Sequence, residues 1–217
     1  MLKTGLMLLQ TSTDFDLFVY YYFPIFLIAI LGIGGIIFAV RRIKKLKRAL
    51  EVQAIKRSGE VQNSFGGLGY PVLRFNHNSN QVKVYSVPGS KNSPPYTYVV
   101  VYLSLPVVQY MRLYKEGFGS KIEKKLGMQD IQIGIESFDE NVIIKSSDEF
   151  FVRSILTFEV QDLVLKIINN HRADIILDKN ELKIIVQKIV YDEATYDELI
   201  NVATAILDQL EKMKYMS

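Results

Sequence analysis

The sequence has no cysteine and only two histidines, His77 and His171. Without thiols there is no disulfide scaffold, no thiolate metal site and no cysteine nucleophile. Two histidines far apart in the chain also supply poorly a histidine metal site or a hydrolytic triad. Charge is missing from one stretch: residues 17–40 contain no Asp, Glu, Lys or Arg. Elsewhere the composition is ordinary. With 217 residues and 49% hydrophobic side chains, disorder, collagen-like and multi-span architectures are excluded, leaving one domain plus appendages or at most two small domains.

The uncharged stretch is long enough to matter. At about 1.5 Å per residue it reaches about 36 Å, sufficient to cross a hydrocarbon core of about 30 Å with some tilt. It has no polar face, unlike a soluble core helix. Tyr20, Tyr21 and Tyr22 stand at its start, where amphipathic rings favour the headgroup level, and Pro24 lies where it removes little hydrogen bonding. A cleaved signal would have a shorter apolar region, with its positive charge before it. Here the charge follows. The expectation is an uncleaved transmembrane helix.

The net charge of +3 conceals a steep asymmetry. Residues 41–57 hold eight basic side chains against Glu51, whereas residues 58–217 hold 17 basic and 20 acidic ones. Arg41, Arg42, Lys44, Lys45, Lys47 and Arg48 follow the span directly, against Lys3 before it. The positive-inside bias then puts the C-terminal part in the cytoplasm and the N-terminus outside. The same collar is attracted to anionic headgroups, which makes lipid sensing an alternative role. The expected organisation is a short outer segment (1–16), a span (17–40), a basic juxtamembrane helix or linker (41–63) and a cytoplasmic domain (64–217).

That domain reads as α+β, an antiparallel sheet packed with helices. Strands are expected at 72–77 and 81–86, joined by Asn78-Ser79-Asn80, then at 96–105, 108–114 and 142–145. A second hairpin joins 174–177 to 182–189. Ser146-x-x-Glu149 and Thr195-x-x-Glu198 have the spacing of capping boxes, and Thr157 is a third candidate cap. Tyr196, Leu199, Ala203, Ile206, Leu210 and Met213 form one apolar helical stripe, which must bury against a sheet or partner.

Few residues invite chemistry. The glycine clusters Gly66-Gly67-Leu68-Gly69 and Gly117-Phe118-Gly119-Ser120-Lys121 lack P-loop spacing and read as turns. Of the acidic pairs Asp139/Glu140, Asp148/Glu149, Asp192/Glu193 and Asp197/Glu198, three sit at expected helix starts, where capping is preferred over a catalytic dyad. Asp130, Glu136 and Asp139 remain candidate divalent-metal ligands, the basis of a metal-assisted hydrolase reading. Tyr96, Tyr98 and Tyr102 share a strand face that resembles a base-stacking platform, but the domain is acidic, so sheet packing is preferred and nucleic acid is not expected. Gly35-x-x-x-Ala39 has small-residue spacing that favours weak pairing of two anchors.

The order of features resembles a group of uncharacterised prokaryotic single-pass membrane proteins with a cytoplasmic domain of unknown function. The residues carrying the likeness are Leu105-Pro106, Glu116-Gly117-x-Gly119-Ser120, Gln129-Asp130-Ile131, and Phe138-Asp139 leading to Val142, Lys145, Asp148 and the helix up to Leu156. The resemblance implies the topology and no activity. The expected role is a protein-interaction or scaffold module at the inner membrane face, with the bilayer and another membrane protein as partners and no cofactor.

Overall fold

The computed structural model describes residues 18–63, 69–115 and 129–216, without the side chains of Phe18, Gln129 and 214–216. The outer segment 1–16, the glycines Gly66 and Gly67 and the cluster Gly117–Lys121 (with Glu116) lie outside these residues.

One π-helical turn, Phe18–Tyr22, leads into helix α1, Phe23–Lys56. At 1.5 Å per residue α1 is about 51 Å long, and its pattern changes along the way. From Val19 to Val40 the large apolar side chains are exposed. This is the one helix among the described residues long and apolar enough to cross a membrane. From residue 46 the apolar positions fall on one face: Leu46, Ala49, Leu50 and Ala54 are buried with Gln53. That i, i+3, i+4, i+7, i+8 spacing is the signature of a helix docked on a core. The chain accordingly divides between Lys44 and Lys45 into two compact units. Part of the stretch expected to link anchor and domain therefore supplies core side chains.

The second unit holds a nine-stranded antiparallel sheet in the order β1-β2-β3-β4-β9-β8-β5-β7-β6. The strands are β1 Glu60–Asn63, β2 Pro71–His77, β3 Asn80–Val87, β4 Tyr96–Tyr102, β5 Met111–Tyr114, β6 Gln129–Ile131, β7 Ile143–Ser146, β8 Asp174–Asp178 and β9 Glu181–Val186. Helices α2 Glu136–Asp139, α3 Glu149–Ile155, α4 Phe158–His171 and α5 Glu193–Met216 complete it. The fold is α+β, as its sequence pattern requires.

Alternation sorts the strand residues. Leu73, Phe75, Val82, Val84, Val99, Val101, Ile175, Leu177, Leu182 and Ile184 are buried inward, in one cluster with Leu46 and Leu50 of α1, Val164 and Ile167 of α4, and the α5 stripe from Tyr196 to Leu210. Fully burying one such side chain contributes about 1.5–3 kcal/mol. Two polar devices lie within this core. The Tyr196 hydroxyl donates to the Val190 carbonyl at 3.0 Å, and burial pushes its pKa up. Thr97 Oγ1 donates to the Lys188 carbonyl at 2.8 Å and accepts from Val190 N–H at 3.0 Å, which ties β4 to the segment before α5.

Several local expectations shift in the structure. Asp148, not Ser146, caps α3 by accepting from Phe151 N–H at 2.9 Å. Ser146 is the last residue of β7 and spends its hydroxyl on the Tyr110 carbonyl at 2.6 Å. Asp192 accepts from Thr195 N–H at 2.8 Å, so the α5 cap lies three residues before the expected one. Thr157 does occupy the α4 cap position, yet its hydroxyl makes no capping bond. The 108–114 strand begins only at Met111, and β4 ends at Tyr102. Here Leu103 and Val107 donate instead to the carbonyls of Asn180 and Lys179 at 2.8 and 2.7 Å, in the β8–β9 turn.

Candidate interaction face

The strand side chains that alternate with the buried set lie on the sheet face opposite the helices. The pairing register carries one row of them through all nine strands: Glu60, Arg74, Lys83, Val100, Lys183, Ile176, Arg112, Lys145 and Asp130. Five are basic, and an acid closes each end. Their partners differ. Arg112 forms a buried fork on Asp174, Nε to Oδ1 at 2.9 Å and a terminal nitrogen to Oδ2 at 2.8 Å, and stands over the Tyr114 ring at 4.7 Å. Lys145 pairs with Asp130, and Lys183 with Glu181. Arg74 and Lys83 have no acidic partner among the described residues.

Beside the row runs a tyrosine surface. Tyr85 of β3 stacks on Tyr98 of β4, centroids 5.1 Å apart at 16°, and Tyr96 lies 5.9 Å from Tyr98. Lys83 Nζ sits 4.9 Å from the Tyr85 centroid. Tyr102 is 42% exposed, and Tyr85, Tyr96 and Tyr98 are half-buried. Burial first, then neighbouring phenols, raises the Tyr85 and Tyr98 pKa values, so both hydroxyls stay protonated donors at neutral pH. The three tyrosines read from β4 do share a face. What the sequence concealed is Tyr85, which β3 brings beside Tyr98 through direct cross-strand pairing.

At the β1 end of the row lies a polar cleft of about 380 Å³, lined by Ser58, Gly59, Glu60, Arg74, Phe75, Asn76 and Gln81. The end of α1 builds its wall. Gly59 N–H donates to the Ala54 carbonyl at 2.8 Å, and Ser58 adopts a left-handed φ of 51°, which closes the helix as a Schellman turn. A Cβ on Gly59 would lie 2.6 Å from the Arg74 carbonyl oxygen. Only glycine lets β2 pass this closely.

The structure does not gather the nominated metal ligands. Asp130 is engaged with Lys145, and Asp139 accepts from Ile133 and Gly134 N–H at 3.0 and 2.8 Å. Glu136 begins α2, and no group of three metal-ligating side chains forms among the described residues. Asp197 and Glu198 lie inside α5 rather than at its start. Asp197 holds Lys56 of α1 and Arg57 just after it, and Glu198 holds Lys166 and His171 of α4. For both carboxyls burial raises the pKa, and the hydrogen bonds from these partners outweigh it, so the net shift is downward.

Each histidine is held by a carboxylate of α5. His77 meets Asp208 at 2.8 Å; His171 meets Glu198 at 2.9 Å and Lys188 Nζ at 3.1 Å. In the first unit Tyr20, Tyr21 and Tyr22 are exposed, as are Arg41, Arg42 and Lys44. On the second unit Lys45 and Arg48 are exposed, and Lys47 pairs with Glu51 at 3.6 Å. A Cβ built on Gly32, Gly34 or Gly35 would meet no atom of the described residues within 4 Å.

No family model matches the chain, and no curated protein matches it. A solved structure does: the mycobacterial trehalose monomycolate transport factor A, with a TM-score of 0.55 over 78% of this chain and 94% of that one. At 10% identity the likeness is one of fold.

Proposed function

We propose that this chain is a membrane-anchored accessory module whose sheet domain binds another membrane protein through its outward face. Residues 17–40 cross the bilayer, the N-terminus lies outside, and the domain lies in the cytoplasm. The observation that carries the reading is the tyrosine-and-cation face formed by β2, β3, β4 and β9, which the described helices leave uncovered. Tyrosine and arginine are enriched where proteins meet, because they combine large apolar area with a polar handle. A bilayer anchor confines such a face near other membrane proteins and raises its effective concentration for them. The solved neighbour is named a transport factor, which supports an accessory role.

A photo-reactive amino acid at Tyr98 should yield a discrete adduct with one membrane protein in cells, and the same probe at Glu159 on α4 should not. Equal adducts from both positions, or none from Tyr98, reject the reading. The absence of native cysteine makes orientation equally direct: Asn92→Cys should react with an impermeant maleimide only after the membrane is opened.

A second reading rests on the collar. Arg41, Lys44, Lys45 and Arg48 are exposed and have no acidic partner among the described residues, and each such charge near an anionic leaflet is worth about 1 kcal/mol. A residue 41–217 fragment that binds anionic vesicles at low salt and releases them as salt rises supports lipid sensing; salt-independent or absent binding rejects it.

A further inference from the structure

At the end of α4 a side-chain relay fixes its own protons. His171 Nε2 lies 2.9 Å from Glu198 Oε2, and Lys188 Nζ lies 3.1 Å from His171 Nδ1. A lysine ammonium has hydrogens to give and no lone pair, so Nδ1 must be the acceptor of that bond. A ring with a bare Nδ1 carries its proton on Nε2 and donates it to the carboxylate. The contacts therefore define a neutral imidazole in one tautomer, with a cation on one nitrogen and an anion on the other.

A protonated ring cannot keep both contacts. An imidazolium has an N–H on each nitrogen. Its bond to Glu198 survives and gains charge, but Nδ1–H would face an ammonium, donor against donor and cation against cation. The ring side chain is only 11% exposed and Glu198 22%, so water screens these charges incompletely. The groups around the ring act in opposite directions. Glu198 and the C-terminus of α4 favour a charged ring, whereas Lys188, and Lys166 at 3.2 Å from Glu198, oppose it. Lys188 also acts electrostatically on Asp192, the α5 cap. The backbone of the β9–α5 loop is held separately, through Thr97, so the proton governs the Lys188 side chain and not the loop.

We propose that His171 is a proton-operated latch. Neutral, it holds the Lys188 ammonium against the α4–α5 junction; protonated, it keeps Glu198 and releases Lys188 to solvent. One proton taken up thus charges the ring and frees a second cation in the β9–α5 loop, with the fold intact. The latch does not depend on the protein-binding role of the sheet face. His77 is the internal contrast, since it meets Asp208 and has no cation on its other nitrogen among the described residues.

The test uses the full chain in detergent, isotopically labelled at its histidine nitrogens. The chain has two histidines, so His77→Gln assigns both sets of ring signals. At pH 8 His171 should show a bare Nδ1 and a protonated Nε2, and at pH 5 an imidazolium, the two conditions bracketing the ordinary histidine value of about 6.5. Urea unfolding then reads the latch. Lys188→Met should lower the midpoint at pH 8, where it loses a bond, and raise it at pH 5, where it removes a repulsion, by about 0.2–0.5 M each way. In a His171→Gln background the effect of Lys188→Met should be the same at both pH values. A proton on Nδ1 at pH 8, a Lys188→Met effect that keeps its sign, or a reversal that persists without His171 overturns the proposal. The nuclear resonance arm needs no variant of His171 or Lys188, so it stands even if one of them fails to fold.

Discussion

Lys56 Nζ lies 2.6 Å from Asp197 Oδ2, joining the last residue of α1 to the second turn of α5. Arg57 reaches the other oxygen of the same carboxylate at 3.3 Å, and Gln53 Nε2 donates to the Glu193 carbonyl at 3.1 Å. Three residues of one helix end thus converge on the start of another.

Asp197→Asn should weaken that junction, at a cost of about 1–2 kcal/mol for a partly exposed charged hydrogen bond. Since the folded-state pKa of Asp197 is lowered, its contribution is present above the unfolded value of about 3.9 and is lost as pH falls through the folded one. Urea unfolding should show the parent–variant difference at pH 7 and its disappearance at the acid end. Glu198 and Asp192 are shifted the same way and add to the loss.

Gly59→Ala should destabilise by about 1–3 kcal/mol, the range for forced overpacking, because the new methyl meets the Arg74 carbonyl at 2.6 Å and Phe75 Cβ at 2.8 Å. Ser58→Gly should do the opposite, adding up to about 1 kcal/mol by removing a left-handed penalty. Denaturant midpoints of the two neighbouring variants should move in opposite directions.

Asp174→Asn should be among the most damaging single changes, costing about 3–5 kcal/mol, because Arg112 would remain buried without its counter-charge. The double variant Arg112→Met with Asp174→Leu should be more stable than Asp174→Asn. A double-mutant cycle by chemical denaturation measures the coupling.

Replacing Arg41, Arg42, Lys44 and Lys45 together by Gln should leave the fold intact and scramble insertion. Maleimide reactivity of Asn92→Cys would then appear on both sides of the membrane, because these side chains make up most of the basic excess next to the span.

Patterns that depend on local periodicity were legible. The α5 stripe, the β2–β3 and β8–β9 hairpins and the uncharged run all follow from spacing alone. The core role of residues 46–54 was masked, since Lys45, Lys47 and Arg48 are interleaved with Leu46, Ala49 and Leu50 and read as a solvated collar. The charges occupy the outer face of a helix whose inner face is core. β1 and β6 are too short for any pattern, and the nine-strand row depends on pairings such as β4 with β9, which join residues far apart in the chain. No spacing rule reaches that far. Hence Arg74 and Lys83 look like two ordinary surface cations until the register sets them side by side.

The edges of the sheet have a consequence for self-association. A nine-stranded antiparallel sheet is a template on which further chains can add, and its outermost strands decide whether they do. Here those strands, β1 and β6, are only four and three residues long, and each has an acid in the transverse row, Glu60 and Asp130. Asp130 is 69% exposed at its edge while its carboxylate holds Lys145. A residue whose chemistry suggested a metal ligand stands on an edge strand, where an exposed charge opposes the addition of another chain.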